Sequence, residues 1–432
     1  GTYLNWLFVA KRLRAYTQRV DAFTLPDFFS KRFGDKKHII STIAAVIIVV
    51  FFIPYTASGF AACGKLFASL FGMDYVTAMI LSAIVIMVYC TLGGFLAAST
   101  TDFIQSIVMT IALFIVVGLG EGLIGGFGNV FSNVASLEGY LDVFKGFNVA
   151  TGETMSYGAL PVVSTLAWGL GYFGMPHILV RFMAIKNSKL VKKSAAVAIT
   201  WLILTLGSAI AIAWLGRTFI LKDGTALAAM LLPAGTQSRV FIEIALDIFA
   251  PFIAGLMLAA IIAAAMSTAD SQLLVASSSF TSDLYNPIIR KNKATDKELL
   301  WMGRVVVTIV TVVAFFIAAS GLGKADSWAS NIMSMVENAW GLFGSAFGPV
   351  VILSLFWKRL TYKGAIAGVV CGAVTDVLWL IFLTKSTGIY EILPGFIVGL
   401  VACVVVSLID KAPGEEVMKI FETATAKGYD ED

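Results

Sequence analysis

Ile39–Gly64, IISTIAAVIIVVFFIPYTASGFAACG, runs for 26 residues without an Asp, Glu, Lys or Arg. A bilayer's hydrocarbon core, about 30 Å thick, takes roughly 20 apolar residues in helical form. This stretch is therefore long enough to cross one. Its neighbours repeat the pattern: Tyr75–Thr101, Phe103–Gly120, Thr154–Val180, Ser194–Gly216, Ile248–Ala269, Val305–Gly323, Asn338–Trp357 and Ile392–Ile409 are equally free of charge, and Gly364–Thr384 is interrupted only by Asp376. Lipid offers no partner to backbone N–H and C=O groups, so only helices and closed barrels span it. Barrel strands would alternate polar and apolar over about ten residues, and no such alternation appears. The expectation is an all-α polytopic membrane protein with ten spanning helices. Composition agrees, because 432 residues with 58% hydrophobic and 13% charged side chains cannot cover themselves with a soluble surface.

Charge placement sets the orientation, since Lys and Arg in short loops mark the cytoplasmic side. Lys11, Arg12, Arg14, Arg19, Lys31, Arg32, Lys36 and Lys37 precede the first full span. Arg181, Lys186, Lys189, Lys192 and Lys193 follow Val180; later clusters are Arg290, Lys291, Lys293 and Lys297, then Lys358, Arg359 and Lys363. The loop between Gly125 and Gly158 carries one base, Lys145, against Glu138, Asp142 and Glu153, and is placed outside. The net charge of +4 is this bias summed and calls for no nucleic-acid partner. The organisation read from these signals is residues 1–10 as the end of a truncated transmembrane helix, 11–38 as a cytoplasmic loop, 39–410 as a ten-helix transporter domain and 411–432 as a cytoplasmic tail. The segment 1–10 is ten residues long, too few to span.

Cys63, Cys90, Cys371 and Cys403 lie inside apolar stretches without CxxC spacing, and His38 and His177 are the only histidines; neither set forms a zinc or haem signature. No nucleophile and base stand at helical spacing within a span, so no catalytic residue is named.

The informative places are those where a helix should not stay regular, because transporters put their sites where broken helices free carbonyls near the midplane. Trp168-Gly-Leu-Gly-Tyr-Phe-Gly-Met-Pro176 has three glycines and a proline in nine residues, a breaker signal; close helix packing at the glycines is the alternative. Ala263-Ala-Ala-Met-Ser-Thr-Ala-Asp-Ser-Gln272 puts hydroxyls and an acid halfway along a long helix. Ser267 and Ser271 stand one turn apart with Thr268 beside them, so hydroxyls and the Ala264 carbonyl could converge on a hard cation. Alternatively the hydroxyls bond their own backbone. Asp102 stands at the start of its span, either capping a helix or lining an ion path. Glu337 and Asp376 are intramembrane acids with no assigned role.

Gly94, Thr101-Asp102 and Gln105, the run Trp168–Pro176 continuing through His177, Ile178 and Arg181-Phe-Met-Ala184, and Met266-Ser-Thr268 with Ser277-Ser278 resemble the sodium:solute symporter family, above all its bacterial proline permeases. The likeness extends over essentially the whole chain, from Leu25-Pro-Asp27 to Tyr390-Glu391 and Pro394-Gly-Phe396. It implies a LeuT-type fold of two inverted five-helix repeats, here lacking its first helices, among them the first broken helix of the core with part of the sodium site. It implies Na+ as the co-transported ion, held by Ala264, Ser267 and Thr268, with Asp102 and Ser271 serving a cation pathway or second site, although Asp270 stands where many relatives carry serine. It further implies L-proline as substrate, lined by Tyr55, Trp168, Tyr172 and Pro176. Aromatic faces suit a small apolar ring and a nearby ammonium. The expected activity is Na+-coupled symport of L-proline across the cell membrane by alternating access, with a cytoplasmic C-terminus and no obligate protein partner. The alternatives kept open are another small solute (pantothenate, a monocarboxylate, an osmolyte) or an inactive fragment of such a carrier.

Overall fold

The structure, a computed structural model, describes residues 1–123, 125–148, 153–221, 239–322 and 328–425. Of the segments read above, residues 149–152, Gly323 and 426–432 fall outside the described residues. A helical lead-in at Thr2–Leu4 and a π-helical stretch at Asn5–Ala10 run into α1 (Lys11–Val20); then come α2 (Leu25–Phe33), α3 (Ile39–Phe71), α4 (Tyr75–Leu123) and α5 (Phe127–Ala135). After a short antiparallel hairpin, β1 (Lys145–Asn148) with β2 (Glu153–Ser156), follow α6 (Ala159–Leu166), α7 (Trp168–Gly171), α8 (Pro176–Met183), α9 (Val191–Leu221) and α10 (Val240–Ile248). Then come α11 (Pro251–Ser278), continued by a π-helical stretch at Ser279–Ile289, α12 (Asp296–Ser320), α13 (Ile332–Phe356), α14 (Tyr362–Phe382), a single helical turn at Thr384–Thr387, α15 (Ile392–Ile409) and α16 (Glu415–Thr425).

Among the described residues eight helices are long and apolar enough to cross a membrane, against ten charge-free stretches in the sequence. Two features account for the difference. The first is that Tyr75–Thr101 and Phe103–Gly120 belong to the single element α4, whose non-helical residue is Gly94 (φ 70°, ψ −179°). The Tyr89 hydroxyl contacts the Thr101 hydroxyl, whereas twelve residues of straight helix would separate them by about 18 Å. The chain therefore folds back at Gly94 into two limbs, at a left-handed φ that glycine adopts without steric cost. The second is that the stretch ending at Val180 is not one rod but α6, α7 and α8, interrupted at residues 172–175.

Residues 11–38, read as a loop from their charges, hold two helices packed into the core. Thr24 caps α2 by accepting the Asp27 N–H at 3.1 Å, and Gly34 ends it in the left-handed conformation, as capping rules require. Tyr16, Phe28, Phe29 and Arg32 are fully buried, with the Arg32 Nε donating to the Ser354 carbonyl. That contact binds the basic end of the protein to α13.

α13 is the centre of the molecule. Every residue from Ala339 to Val351 is buried, the signature of a helix apolar on all sides, and Asn331 starts it by accepting the Met333 and Ser334 N–H groups. Its glycines admit close neighbours: a Cβ on Gly344 would press on the Gly171 backbone and Ile392, and one on Gly348 on Phe396. Phe343 and Phe347 join Phe28, Phe29 and Phe52 in one cluster, so α13 ties α2, α3 and the broken segment together.

Candidate functional site

The break has a local cause. Proline at 176 has no N–H to return to the Tyr172 carbonyl four residues earlier, and that carbonyl instead accepts the side-chain amide of Asn5 at 2.7 Å. Met175 is extended and Pro176 opens α8. Gly174 allows the broken backbone to lie on α13, because a Cβ there would run into the Phe343 carbonyl oxygen and stand 2.7 Å from the Gly348 nitrogen.

Around the break the aromatic residues form layers. The Trp168 and Trp340 rings stack with centroids 5.1 Å apart at 15°, Tyr390 stacks on the other contact of Trp168 at 6.0 Å and 22°, and Tyr172 meets Trp340 edge-on at 4.8 Å. Hydrogen bonds fix the layers: the Trp340 indole N–H donates to the Trp168 carbonyl at 2.9 Å, the Tyr390 hydroxyl to the Glu337 carbonyl at 2.8 Å, and the Tyr390 backbone N–H to the Ser164 hydroxyl at 2.7 Å. Trp168 and Tyr172 are half-buried and Pro176 is buried. Tyr55 approaches from α3, where its ring neighbours are Phe52 and His177, at 6.5 and 6.0 Å. His177 is the residue after Pro176, so three separate elements converge on the break.

Trp340 and Tyr390 were not singled out by the sequence. Both lie in or beside ordinary apolar stretches, where an aromatic residue looks like any core side chain. The Tyr390-Glu391 pair entered only as part of the family resemblance.

The second group lies on α11. Ser267 and Thr268 both donate to the Ala264 carbonyl, at 3.0 and 3.1 Å, so in this arrangement the hydroxyls bond their own helix. α11 packs on α3 near this turn: a Cβ on Gly59 would lie 3.7 Å from the Ala265 carbonyl oxygen, one turn past Tyr55 on the same helix. Tyr55 and the Ala264–Thr268 turn thus share α3 as a common wall.

Asp102 is not at a helix start. It stands eight residues beyond the fold-back of α4, within the second limb, and forms an ion pair with Arg181 of α8. The same guanidinium donates to the Ser271 hydroxyl at 2.7 Å and the Ser99 hydroxyl at 3.3 Å, and Ser271 donates to the Ser267 carbonyl at 3.0 Å. Arg181 thereby joins α4, α8 and α11, a role that its basic loop position did not signal. The buried oxygens Asp102 Oδ1, Asp270 Oδ2 and Gln105 Oε1 have no hydrogen-bond partner among the described residues. Beyond Arg181, toward the basic end, a cavity of about 530 Å³ is lined by Arg14, Thr24, Val180, Met183, Leu274 and Ser278.

The sodium:solute symporter family matches residues 1–372 of the chain. The chain is 42% identical over 429 residues to the sodium/proline symporter of Escherichia coli (strain K12), covering 99% of this chain and 81% of that one. It is 40% identical over 424 residues to the osmoregulated proline transporter of Bacillus subtilis (strain 168), covering 98% and 81%. It is likewise 40% identical over 425 residues to the sodium/proline symporter of Staphylococcus aureus, covering 96% and 78%. Among solved structures, a Na+-coupled sialic acid symporter in a substrate-bound outward-open state superposes with a TM-score of 0.72 at 18% identity, over 95% of this chain and 82% of that one. The last likeness bears on the fold, which is all-α, polytopic and of the LeuT type.

Proposed function

The chain belongs to the sodium:solute symporter family, and from that premise we infer that it couples the entry of L-proline to that of Na+. The observation that carries this reading is identity of 40–42% over nearly the full chain with proline transporters of three bacteria. The chemistry of the broken segment supports it: stacked indole and phenol rings offer apolar walls for a pyrrolidine ring and electron-rich faces for its ammonium.

In this reading Trp168, Tyr172, Pro176 and Tyr55 line the substrate site, with Trp340 and Tyr390 holding the Trp168 ring. Ala264, Ser267 and Thr268 supply oxygens to Na+ once the two hydroxyls turn from their own helix. Asp102 and Ser271 serve a cation path, supported by the carboxylate oxygens that lack a donor. The ion favours one conformation and the substrate another, and coupling is the difference in affinity each has for the two. The cavity past Arg181 would then be the way out, at the end marked cytoplasmic by Arg14, Lys186 and Lys189; the same charge bias supports a cytoplasmic C-terminus, and the kinship with bacterial proline transporters supports a place in the cell membrane. A carrier of this kind performs no covalent chemistry.

Uptake of labelled L-proline by the full-length gene product in proteoliposomes, with and without an inward Na+ gradient, tests the reading. Gradient-driven accumulation, competed by unlabelled proline and not by pantothenate or monocarboxylates, is expected. Accumulation of one of those solutes instead would replace proline as the cargo.

A further inference from the structure

Away from the broken segment, an apolar groove of about 840 Å³ lies between the second limb of α4 and α9. Phe103, Ile107 and Phe114 form one wall and Leu190, Val197 and Trp201 the other. The walls face outward, with Phe103 66% and Val197 64% exposed, and the Trp201 indole N–H donating to the Thr110 hydroxyl at 2.9 Å closes the floor. From Phe103 to Phe114 the groove is about 16 Å long at the rise of an α-helix. That is half of the ~30 Å hydrocarbon core, the depth of one leaflet.

One end of the groove is strongly cationic. Lys193, Val197 and Trp201 follow one another at i, i+4 and i+8 on one face of α9, and Lys193 lines the groove. Lys189 lies one turn earlier, with Lys186 and Lys192 close by in sequence; all four lysines are exposed. The first turn of α9 has no acid, and a helix start already carries partial positive charge. Lysines at that position disfavour the helix unless an anion sits with them.

We propose that this groove is a binding site for a single anionic phospholipid of the leaflet at the basic end, its phosphate held by Lys189 and Lys193 at the start of α9 and one acyl chain laid along Val197 and Trp201 against Phe103 and Ile107. The ligand class follows from the sequence of the surface itself: cations, then apolar side chains, over the length of one lipid, in a protein whose solvent is lipid. Basic pockets between spanning helices on the positive side are where acidic headgroups are held. The inference requires only the membrane location and is independent of which solute is carried.

Native mass spectrometry of the detergent-purified full-length protein, equilibrated with an equimolar mixture of phosphatidylglycerol and phosphatidylethanolamine, tests it. One phosphatidylglycerol per chain should be retained in preference to the zwitterionic lipid. Retention should fall about fivefold for each of Lys189→Gln and Lys193→Gln, the worth of one lysine near an acidic surface, and Val197→Trp, which fills the groove, should abolish it. Both lysines are exposed, so their replacement leaves the fold intact and decides the matter even if the tryptophan variant does not fold. Equal retention of the two lipids, unchanged retention in the lysine variants, or a groove variant that dissociates a dimer without altering lipid content would overturn the proposal.

Discussion

Trp168 and Trp340, 172 residues apart, stack within 15° of parallel while the indole N–H of the second donates to the carbonyl of the first. The bond and the stack together lock the ring that faces the break in α6–α8. A side chain held in this way is preorganised, so a ligand that stacks on it does not have to order it first.

Trp168→Ala is accordingly expected to raise the half-saturating proline concentration by roughly tenfold, the equivalent of about 1.4 kcal/mol. Trp340→Ala should raise it less, and the double variant should equal Trp168→Ala alone, because removing the holder adds nothing once the held ring is gone. Additive effects in the uptake assay would mean that Trp340 touches the substrate independently.

Thr268→Ala removes one oxygen from the candidate ion site while leaving a methyl group at a half-buried position. The sodium concentration for half-maximal uptake should rise by about tenfold, with maximal rate less affected, as expected for about 1–2 kcal/mol of lost coordination. Unchanged sodium dependence, measured at saturating proline, would exclude Thr268 from the site.

Arg181→Gln leaves the Asp102 carboxylate within the bundle without its cation, which should cost about 1–3 kcal/mol of stability. Asp102→Asn leaves the guanidinium its bonds to Ser271 and Ser99 and should cost less. The double variant is expected to melt above Arg181→Gln, since it no longer holds a lone carboxylate. Thermal unfolding in detergent reads all three.

Gly174→Ala and Gly207→Ala change the same atoms in different surroundings. At Gly174 the new methyl meets the Phe343 and Gly348 backbone, whereas at Gly207 nothing lies within 4 Å. The first should lower the melting point and folded yield, because backbone cannot step aside as a flexible side chain does. The second should be neutral or slightly stabilising, alanine being the better helix former by about 1 kcal/mol.

Tyr16 lies in α1, outside the spans, with its hydroxyl buried and without a hydrogen-bond partner among the described residues. Burial pushes the phenol up to about 12, against the lowering influence of Arg32. The folded protein therefore holds the proton more tightly than the unfolded chain. This contribution is complete below pH 10 and is lost as pH rises from 10 toward 12. Tyr16→Phe should flatten the alkaline limb of the stability profile over that window, with little change at pH 8; an identical profile for both proteins would exclude Tyr16 as the cause.

Much of the fold was legible because lipid imposes a one-dimensional rule. A helix that must satisfy its own backbone and face hydrocarbon writes its length as a run free of charge, as Ile39–Gly64 does. The break at Trp168–Pro176 was legible for a similar reason, since a missing N–H acts within a few residues. The fold-back at Gly94 was not, because a glycine inside a long apolar run reads equally as a packing contact. Asp102 illustrates the limit most directly. Its sequence neighbours allowed a helix cap or an ion path, and the partner that decides its environment, Arg181, is 79 residues away.

The sequence by itself determined that this chain lives in a membrane as a bundle of helices and that its backbone breaks at Trp168–Pro176, because each of these follows from local covalent structure. Only the tertiary structure decided that Trp340 and Tyr390 hold Trp168, that Arg181 joins three helices at Asp102 and Ser271, and that α13 lies buried at the centre. Those relationships are pairings between distant segments, fixed by which surfaces the packed bundle brings within a few ångströms of each other.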